Sequence, residues 1–487
     1  MDRRRIFMKT LFAAAALLMA FTMARTAAAQ FGGGGQGGFG GGGQGGGFGG
    51  QGGQGGQGGG IPDGAGVVID AAGVLRLRSV RDPRLGAQRL AEAHANLPAE
   101  LQQPSLRRKV SLNRLEAALG ARHANGLFAT DEMKYLAGLQ RIEYVMLYPE
   151  TGDVVIAGQA EGFVQTPSGR VIGMRSGRPV LELQDLAVAM RAFPPSGPPT
   201  RRIGVSIDPT PQGLTNLQQF LAQVGSRATP RDTPRLVEGM RQSLGKQTVT
   251  ISGIDPRTHF AQVLTEADYR MKLIGIGLEV PPARIRSYIS RANPATIAAN
   301  ALLRWYFVPH YDSVRVSVDE LAMRLEGDGV RLVGKDEVVT DAGDRVGVAI
   351  TDRAGQAFVL EFTKMYPQLA ANEPVFAQLR NLVDLAVAAA FMQKHDYFGK
   401  AGWSAELLLD EQQYPTQLFH VPAKVETAVN AIWRGNRLMT PIGGGVHINA
   451  TKAVLPENVQ QDNEGEVRDA HDEVALDHLA PGEWWWD

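Results

Sequence analysis

The chain contains 487 residues, with 50 basic and 50 acidic side chains and no cysteine. The lack of cysteine excludes disulfides, thiolate metal sites and cysteine nucleophiles. The charge is spread unevenly, since residues 1–29 carry +4 and residues 456–487 carry −9, which leaves +5 on the residues between them. This weak positive charge, without a recognisable binding motif, argues against nucleic acid as a partner.

The N-terminal segment has the pattern of an export signal. Basic residues at 3–9 precede an apolar stretch at 11–23, which is too short to span a membrane as a helix. Ala27 and Ala29 supply the small side chains that a signal peptidase reads, which predicts cleavage before Gln30. The mature chain is therefore expected outside the cytoplasm, without a transmembrane anchor.

The same segment resembles a twin-arginine signal. Arg4 and Arg5 are followed by Phe7 and Lys9, and Arg25 lies just before the predicted cleavage site. The alternative is an ordinary Sec signal with a chance cluster of arginines. The twin-arginine route exports folded cargo, sometimes around a cofactor, but no cofactor motif follows here and none is predicted.

Residues 30–60 consist only of Gly, Gln and Phe. Such a segment cannot bury enough apolar surface to offset the entropy of ordering it, so we expect a disordered tether. A plain spacer is the simpler interpretation. The alternative is a self-associating or wall-contacting segment that uses Phe31, Phe39 and Phe48.

Residues 61–198 are predicted to form an N-terminal α+β sub-domain. Ser111 and Thr130 are placed to cap two helices, and strands at 142–148 and 153–157 flank a turn of hairpin type. The proline-rich segment 194–199 breaks both periodicities and marks the predicted boundary.

Residues 199–455 are predicted to form a second α+β sub-domain. Asp255 is placed to cap an amphipathic helix, and Pro374 opens a long core helix. Five further segments have strand patterns with turns between them, at 314–318, 330–333, 338–339, 346–350 and 358–362. The predicted fold class is therefore α+β, with antiparallel meanders, packed helices and two sub-domains.

Two pairs of opposite charges are the first candidates for chemistry. Glu266 and Arg270, and likewise Asp268 and Lys272, lie four residues apart on the amphipathic helix. A solvated, ion-paired face is the favoured interpretation, and a catalytic carboxylate is the alternative.

The aromatic segment 304–312 offers a second candidate. On an extended strand His310 and Asp312 point to one side, as a His–carboxylate pair requires. Burial of the aromatic side chains in a sheet core is the favoured alternative.

The known catalytic and metal-binding motifs are absent from the sequence. We find no nucleophile elbow, phosphate-binding loop, zinc-protease motif or dinucleotide fingerprint, and a calcium loop near Asp462 lacks required carboxylates. No catalytic, cofactor-binding or metal-binding residue is therefore predicted.

The C-terminal segment 456–487 is predicted to be an acidic, flexible tail. Its last residues include Trp484, Trp485 and Trp486. This tip could dock on the parent body, remain free, or bind a partner.

Four segments carry a resemblance to a known family. They are RKVSLNRL (108–115), EADYRMK (266–272), RWYFVP (304–309) and FAQLRNL (376–382). With them the chain resembles exported proteins of planctomycete bacteria that are classified as domain of unknown function family 1598, over most of residues 66–455. The resemblance implies bacterial export and one shared body, and it implies no active-site residue.

The sequence favours a non-catalytic periplasmic or cell-envelope protein that binds an envelope protein or a small ligand. Two alternatives remain open at this stage. One is a hydrolase of an unrecognised class that uses Glu266, Asp268, His310 and Asp312, and the other is a structural component of the envelope.

Overall fold

The computed structural model describes residues 67–69, 74–77, 82–224, 229–292, 303–311, 314–334, 337–339, 345–347, 353–430 and 442–487. The predicted signal with Ala27 and Ala29, the predicted tether at 30–60 and Asp312 lie outside these residues. The described residues fall in one compact unit.

The strands are β1 (Val67–Ile69), β2 (Val74–Leu77), β3 (Ser105–Ser111), β4 (Tyr144–Tyr148), β5 (Asp153–Ala160), β6 (Phe163–Gln165), β7 (Val171–Gly173), β8 (Ile203–Asp208), β9 (Lys246–Ser252), β10 (Leu303–His310), β11 (Val314–Val316), β12 (Ala322–Leu325), β13 (Gly329–Gly334), β14 (Glu337–Val339), β15 (Arg345–Gly347), β16 (Lys424–Glu426), β17 (Ile442–Ile448), β18 (Val459–Gln461) and β19 (Trp485–Trp486).

The α-helices are α1 (Pro83–Asn96), α2 (Ala99–Gln102), α3 (Leu112–Ala124), α4 (Asp131–Lys134), α5 (Leu183–Ala192), α6 (Pro211–Val224), α7 (Thr233–Leu244), α8 (His259–Gly275), α9 (Tyr288–Arg291), α10 (Arg353–Asn372), α11 (Pro374–Lys394), α12 (Tyr397–Ala401), α13 (Glu406–Leu409), α14 (Ala450–Ala453) and α15 (Glu466–Asp472). Short 3₁₀ helices lie at Leu136–Gly138, Pro230–Asp232 and Pro456–Asn458.

Two large, mainly antiparallel sheets organise these elements. The first has the strand order β1-β2-β16-β9-β8-β17-β10-β13, and the second has the order β18-β11-β12-β4-β5-β3-β19. Two separate hairpins, β6-β7 and β14-β15, complete the described strands. Helices pack on both sheets, and the fold is α+β, as predicted.

Helix α11 lies at the centre of the molecule, where it packs against α5, α8 and α10. It is long and apolar enough to span a membrane by length and composition, but 94% of its most apolar window is buried inside the protein. Arg380 and Asp384 interrupt the apolar surface, and Asp384 is fully buried. The prediction of a core helix is confirmed.

The predicted division at 194–199 does not separate two cores. One hydrophobic cluster contains Leu101 and Val154 from the first predicted sub-domain and Phe260 and Phe391 from the second. Their side chains belong to one continuous core, because α5 packs directly on α8 and α11.

The predicted strand at 358–362 is wrong, since these residues lie within helix α10. Phe358 and Phe362 are both fully buried. Their four-residue spacing places them on one face of a helix, and packing on that face outweighs the strand preference of aromatic residues.

The predicted cap of α8 is also wrong by a few residues. Thr258 is the N-cap, because its hydroxyl accepts a hydrogen bond from the backbone N–H of Ala261 at 3.2 Å. Asp255 instead accepts hydrogen bonds from the backbone and side chain of Arg257. The caps predicted at Ser111 and Thr130 are confirmed.

The predicted flexible tail is in fact packed against the body. Trp485 and Trp486 form strand β19, which pairs with β3, and only 5% of Trp484 and 6% of Trp486 is exposed. The carboxylate of Asp487 binds the guanidinium of the fully buried Arg108 at 2.8 and 2.9 Å. Apolar burial and this ion pair together offset the entropy of ordering the terminus.

Candidate ligand-binding site

Two neighbouring cavities share a wall formed by Tyr135, Glu182 and Gln417. The first, which we call the apolar cavity, has a volume of about 340 Å³ and is lined largely by carbon, with Leu119, Phe128, Ala129, Leu407, Tyr414 and Pro415 among its residues. The second, the polar cavity, has a volume of about 90 Å³ and is lined by charged and amide side chains together with aromatic and aliphatic ones.

One face of helix α8 supplies a wall of the polar cavity. His259, Gln262, Val263 and Glu266 all line it. Their spacing of three or four residues places them on the same helical face, and the Thr258 cap fixes where the first turn begins. A helix that is otherwise buried among apolar side chains therefore presents a polar stripe to this cavity.

The start of helix α5 meets the start of α8 at this point. Glu182 is the N-cap residue of α5, and Asp185 lies in its first turn. Asp185 Oδ2 lies 2.8 Å from His259 Nδ1, and Glu182 Oε1 lies 3.6 Å from His259 Nε2. The imidazole of His259 is thus held between two carboxylates.

The charges of this cluster are strongly coupled. Burial by itself lowers the pKa of His259, but the negative charges of Asp185 and Glu182 outweigh burial and raise it to about 9. Burial raises the pKa of Glu182, and Asp185 adds to this effect while His259 opposes it. In the ligand-free protein at neutral pH, His259 is therefore a cation between two acidic groups.

A second ion-paired group closes the other side of the polar cavity. Arg170, from the turn after β6, donates two hydrogen bonds of 2.6 Å to Glu266 and a further one to Gln378 on α11. Burial raises the pKa of Glu266, and the positive charges of Arg170 and Arg270 oppose this rise. Glu266 is therefore engaged in a buried ion pair that joins a hairpin to two helices.

Two buried oxygen atoms near the shared wall have no hydrogen-bond donor among the described residues. They are Oε1 of Gln262, whose side chain lines the polar cavity, and Oδ1 of Asp185. Only 7% of Gln262 and 3% of Asp185 is exposed. Leaving an acceptor buried and unpaired costs about 1–3 kcal/mol, so this region favours a hydrogen-bond donor or a cation.

The charged pairs predicted on α8 are present, but their environment differs from the prediction. Asp268 Oδ2 lies 2.7 Å from Lys272 Nζ, and Glu266 lies 3.9 Å from Arg270. The predicted solvated face is wrong, because Glu266, Asp268 and Lys272 are all at least 96% buried. The sheet β8–β17 covers Lys272, whose ammonium donates to backbone carbonyls of both strands, and this packing excludes water.

Among the described residues proposed for a hydrolase, Glu266 and Asp268 have separate ion-pair partners. Glu266 pairs with Arg170, whereas Asp268 pairs with Lys272 against the first sheet. His310 ends strand β10, and Asp312 lies outside the described residues. Trp305 and Phe307 of the same strand are buried, which confirms the core interpretation of the aromatic segment.

The sequence-based search missed Glu182, Asp185, His259 and Arg170. The sequence does not reveal the carboxylate partner of His259, because Asp185 lies 74 residues away in the chain. A signal was present in the polar stripe His259, Gln262 and Glu266 on a helix predicted to be buried.

Comparison with known proteins gives one match. The family model described as "Protein of unknown function (DUF1598)" matches residues 205–288, a segment that contains most of β8 and all of α8. This match supports the predicted family. It covers a shorter part of the chain than the predicted 66–455, and it includes His259, Gln262 and Glu266 but neither Glu182 nor Asp185. No curated protein and no solved structure matches.

Proposed function

We propose that the protein is a non-catalytic ligand-binding protein of the bacterial cell envelope, and that its ligand occupies the apolar cavity. The observation that carries the proposal is the pairing of a 340 Å³ apolar cavity with a wall of buried polar groups. Small-molecule sites commonly have volumes of about 300–1,000 Å³, mostly apolar walls and a few convergent polar groups.

The polar groups indicate which end of a ligand lies at the shared wall. Glu182 belongs to both cavities, Gln262 with its unpaired oxygen lines the polar cavity, and Asp185 contacts the same imidazole as Glu182. A ligand with an apolar body and a terminal amine fits both the apolar cavity and the shared wall. Its ammonium group supplies hydrogen-bond donors and a positive charge next to the carboxylates. Tyr135 and Tyr414 add aromatic surface for the body of the ligand.

The proposal is tested with a matched pair of probes. We expect 4-phenylbutylamine to bind the EDTA-treated protein in a calorimetric titration, and 4-phenylbutyrate to bind at least tenfold more weakly because it places a carboxylate beside Glu182. Equal binding of both probes, or no binding of the amine, contradicts the proposal.

Two variants locate the binding. Ala129→Trp fills the apolar cavity from its wall and is expected to weaken binding of the amine at least tenfold. Leu360→Trp is the matched control, because Leu360 is 71% exposed on α10 and does not line the cavity. Binding that survives the Ala129 substitution would place the amine elsewhere.

The envelope location rests on the export signal and is tested separately. Antibody detection in fractionated cells should recover the processed chain, starting at Gln30, from the periplasmic or envelope fraction. An unprocessed chain in the cytoplasmic fraction would contradict the location without affecting the ligand-binding proposal.

A further inference from the structure

We propose that Glu182, His259 and Asp185 form a site for one divalent transition-metal ion such as Zn²⁺, with Glu182 and His259 as direct ligands and Asp185 as the residue that positions the imidazole. This goes beyond the proposed function, because metal binding is measured without any organic ligand. Each of the three residues offers a ligand atom, and these atoms lie within 4.8 Å of one another.

The separation of the two direct ligand atoms fits a metal ion between them. His259 Nε2 and Glu182 Oε1 are 3.6 Å apart, which is longer than a hydrogen bond. Zinc binds histidine nitrogen at about 2.0–2.1 Å and carboxylate oxygen at about 2.0–2.2 Å, so tetrahedral coordination separates two such atoms by about 3.4 Å. The two atoms therefore lie close to the separation that a bound zinc ion requires, and only a small shift of the side chains is needed.

The position of Asp185 matches that of an orienting carboxylate. Its Oδ2 lies 2.8 Å from Nδ1 on the opposite edge of the ring, and Asp185 does not line the polar cavity. A metal-bound histidine usually donates its second N–H to a carboxylate or carbonyl, which fixes the tautomer and the ring orientation. Asp185 therefore directs Nε2 towards Glu182.

The unpaired oxygen of Gln262 independently indicates a missing ligand. Gln262 lies three residues after His259 on the same face of α8, is 93% buried and lines the same cavity, and its Oε1 has no hydrogen-bond donor among the described residues. An oxygen in this position can accept a bond from a water on the metal. The two carboxylates also balance the two positive charges of the ion. This balance offsets the repulsion between the ion and the positive N-terminal ends of α5 and α8, and between the ion and Arg170.

The test is a zinc titration of the full-length, EDTA-treated protein, followed by calorimetry. We expect one zinc ion per chain and an increase in the thermal unfolding temperature on binding. Failure of the wild-type chain to bind zinc, or binding without thermal stabilisation, overturns the proposal whatever the variants do.

Variants distinguish this site from adventitious binding to surface histidines. Glu182→Gln and His259→Ala are expected to weaken zinc binding at least 100-fold, whereas His478→Ala, which removes an exposed histidine that lines neither cavity, should change it less than twofold. Unchanged binding in either of the first two variants overturns the proposal. Circular dichroism confirms that each variant is folded.

Asp185 requires a measurement that a merely structural role would not affect. Asp185→Asn is expected to weaken zinc binding about 10–100-fold and to shift the visible absorption of bound Co²⁺, because the imidazole is no longer held by a charged acceptor. Asp185→Glu should restore part of the zinc affinity and part of the wild-type Co²⁺ absorption. An unchanged Co²⁺ spectrum in Asp185→Asn overturns the positioning role.

Discussion

The packing of the C-terminus gives the clearest test of the fold. Trp486 is only 6% exposed, and it lies in a cluster with apolar residues from the second sheet, from α15 and from the segment after α15, namely Tyr144, Met146, Tyr148, Val155, Ala157, Ala322, Val467, Ala470 and Val474. We expect Trp486→Ala to lower the free energy of unfolding by about 3–5 kcal/mol. A freely moving tail would give no change.

The expected loss of unfolding free energy follows from the apolar area that the Trp486 side chain buries. A buried tryptophan removes about 150–250 Å² from water, which at about 25 cal/mol per Å² corresponds to about 4–6 kcal/mol for the whole side chain. Alanine keeps the β-carbon, and relaxation around the cavity recovers a further part, so a loss of about 3–5 kcal/mol remains. This is a large fraction of the total stability of a typical protein, about 5–15 kcal/mol.

Urea unfolding followed by tryptophan fluorescence and circular dichroism measures this loss. The midpoint of Trp486→Ala should fall by at least about 1 M relative to the wild type. Phe128→Ala is the matched control, since Phe128 is an aromatic residue that is 84% exposed, and it should leave the midpoint almost unchanged. Equal midpoints for the two variants would refute the packed C-terminus.

Three further changes test other parts of the chain. Asp153→Asn should lower stability at pH 7 by about 2 kcal/mol, because Asp153 is fully buried and bound by Arg114. Gly444→Ala should destabilise by about 3 kcal/mol in urea unfolding, because a β-carbon there would lie 1.8 Å from a carbonyl oxygen of the next strand, at a φ of +143°. Replacing both Arg4 and Arg5 by Lys should abolish export in a fractionation assay, as the twin-arginine signal predicts.

The loss of folding stability at low pH gives a second test of the role of Asp153. Burial tends to raise its pKa, but hydrogen bonds from Arg114 and Ser111 outweigh burial and hold the pKa below its usual value of 3.8. The stabilisation is therefore present above about pH 4 and is lost as the pH falls through the lower, folded-state pKa. Between pH 7 and pH 2, the free energy of unfolding measured in urea should fall less in Asp153→Asn than in the wild type. An equal fall in both proteins would contradict this account.

Gly444→Ala and the double substitution of Arg4 and Arg5 each have a matched control. Gly334→Ala should be nearly neutral, because a β-carbon there meets its nearest atom at 3.6 Å. A similar loss in both glycine variants would indicate a general cost of removing glycine rather than a clash. Arg3→Lys should leave export intact, and export that also survives the Arg4 and Arg5 substitution would favour an ordinary Sec signal.

The sequence by itself determined much of the local structure. Hydroxyl side chains at Ser111 and Thr130 cap the helices that they were expected to cap, and the hairpin of β4 and β5 forms where the turn residues place it. The apolar surface of α11 identified a core helix. Such features depend on interactions between residues close in the chain, or on the periodicity of one element.

Tertiary packing decided what the periodicity left open. Residues 358–362 have the composition of a strand, yet Phe358 and Phe362 are buried on one face of α10. The polar face of α8 has the spacing of a solvated surface, yet the first sheet covers it around Lys272. Both outcomes depend on which distant element packs against the segment, and a single segment does not carry that information.

The candidate site illustrates the same limit. The sequence identified the acidic residues of α8 but not their cavity, because His259 meets Glu182 and Asp185 only when the start of α5 packs against the start of α8. The lack of cysteine excluded cysteine-based chemistry. The negative charges of Asp185 and Glu182 raise the pKa of His259 against the effect of burial, and they lie beside the imidazole only when the two helices have packed together.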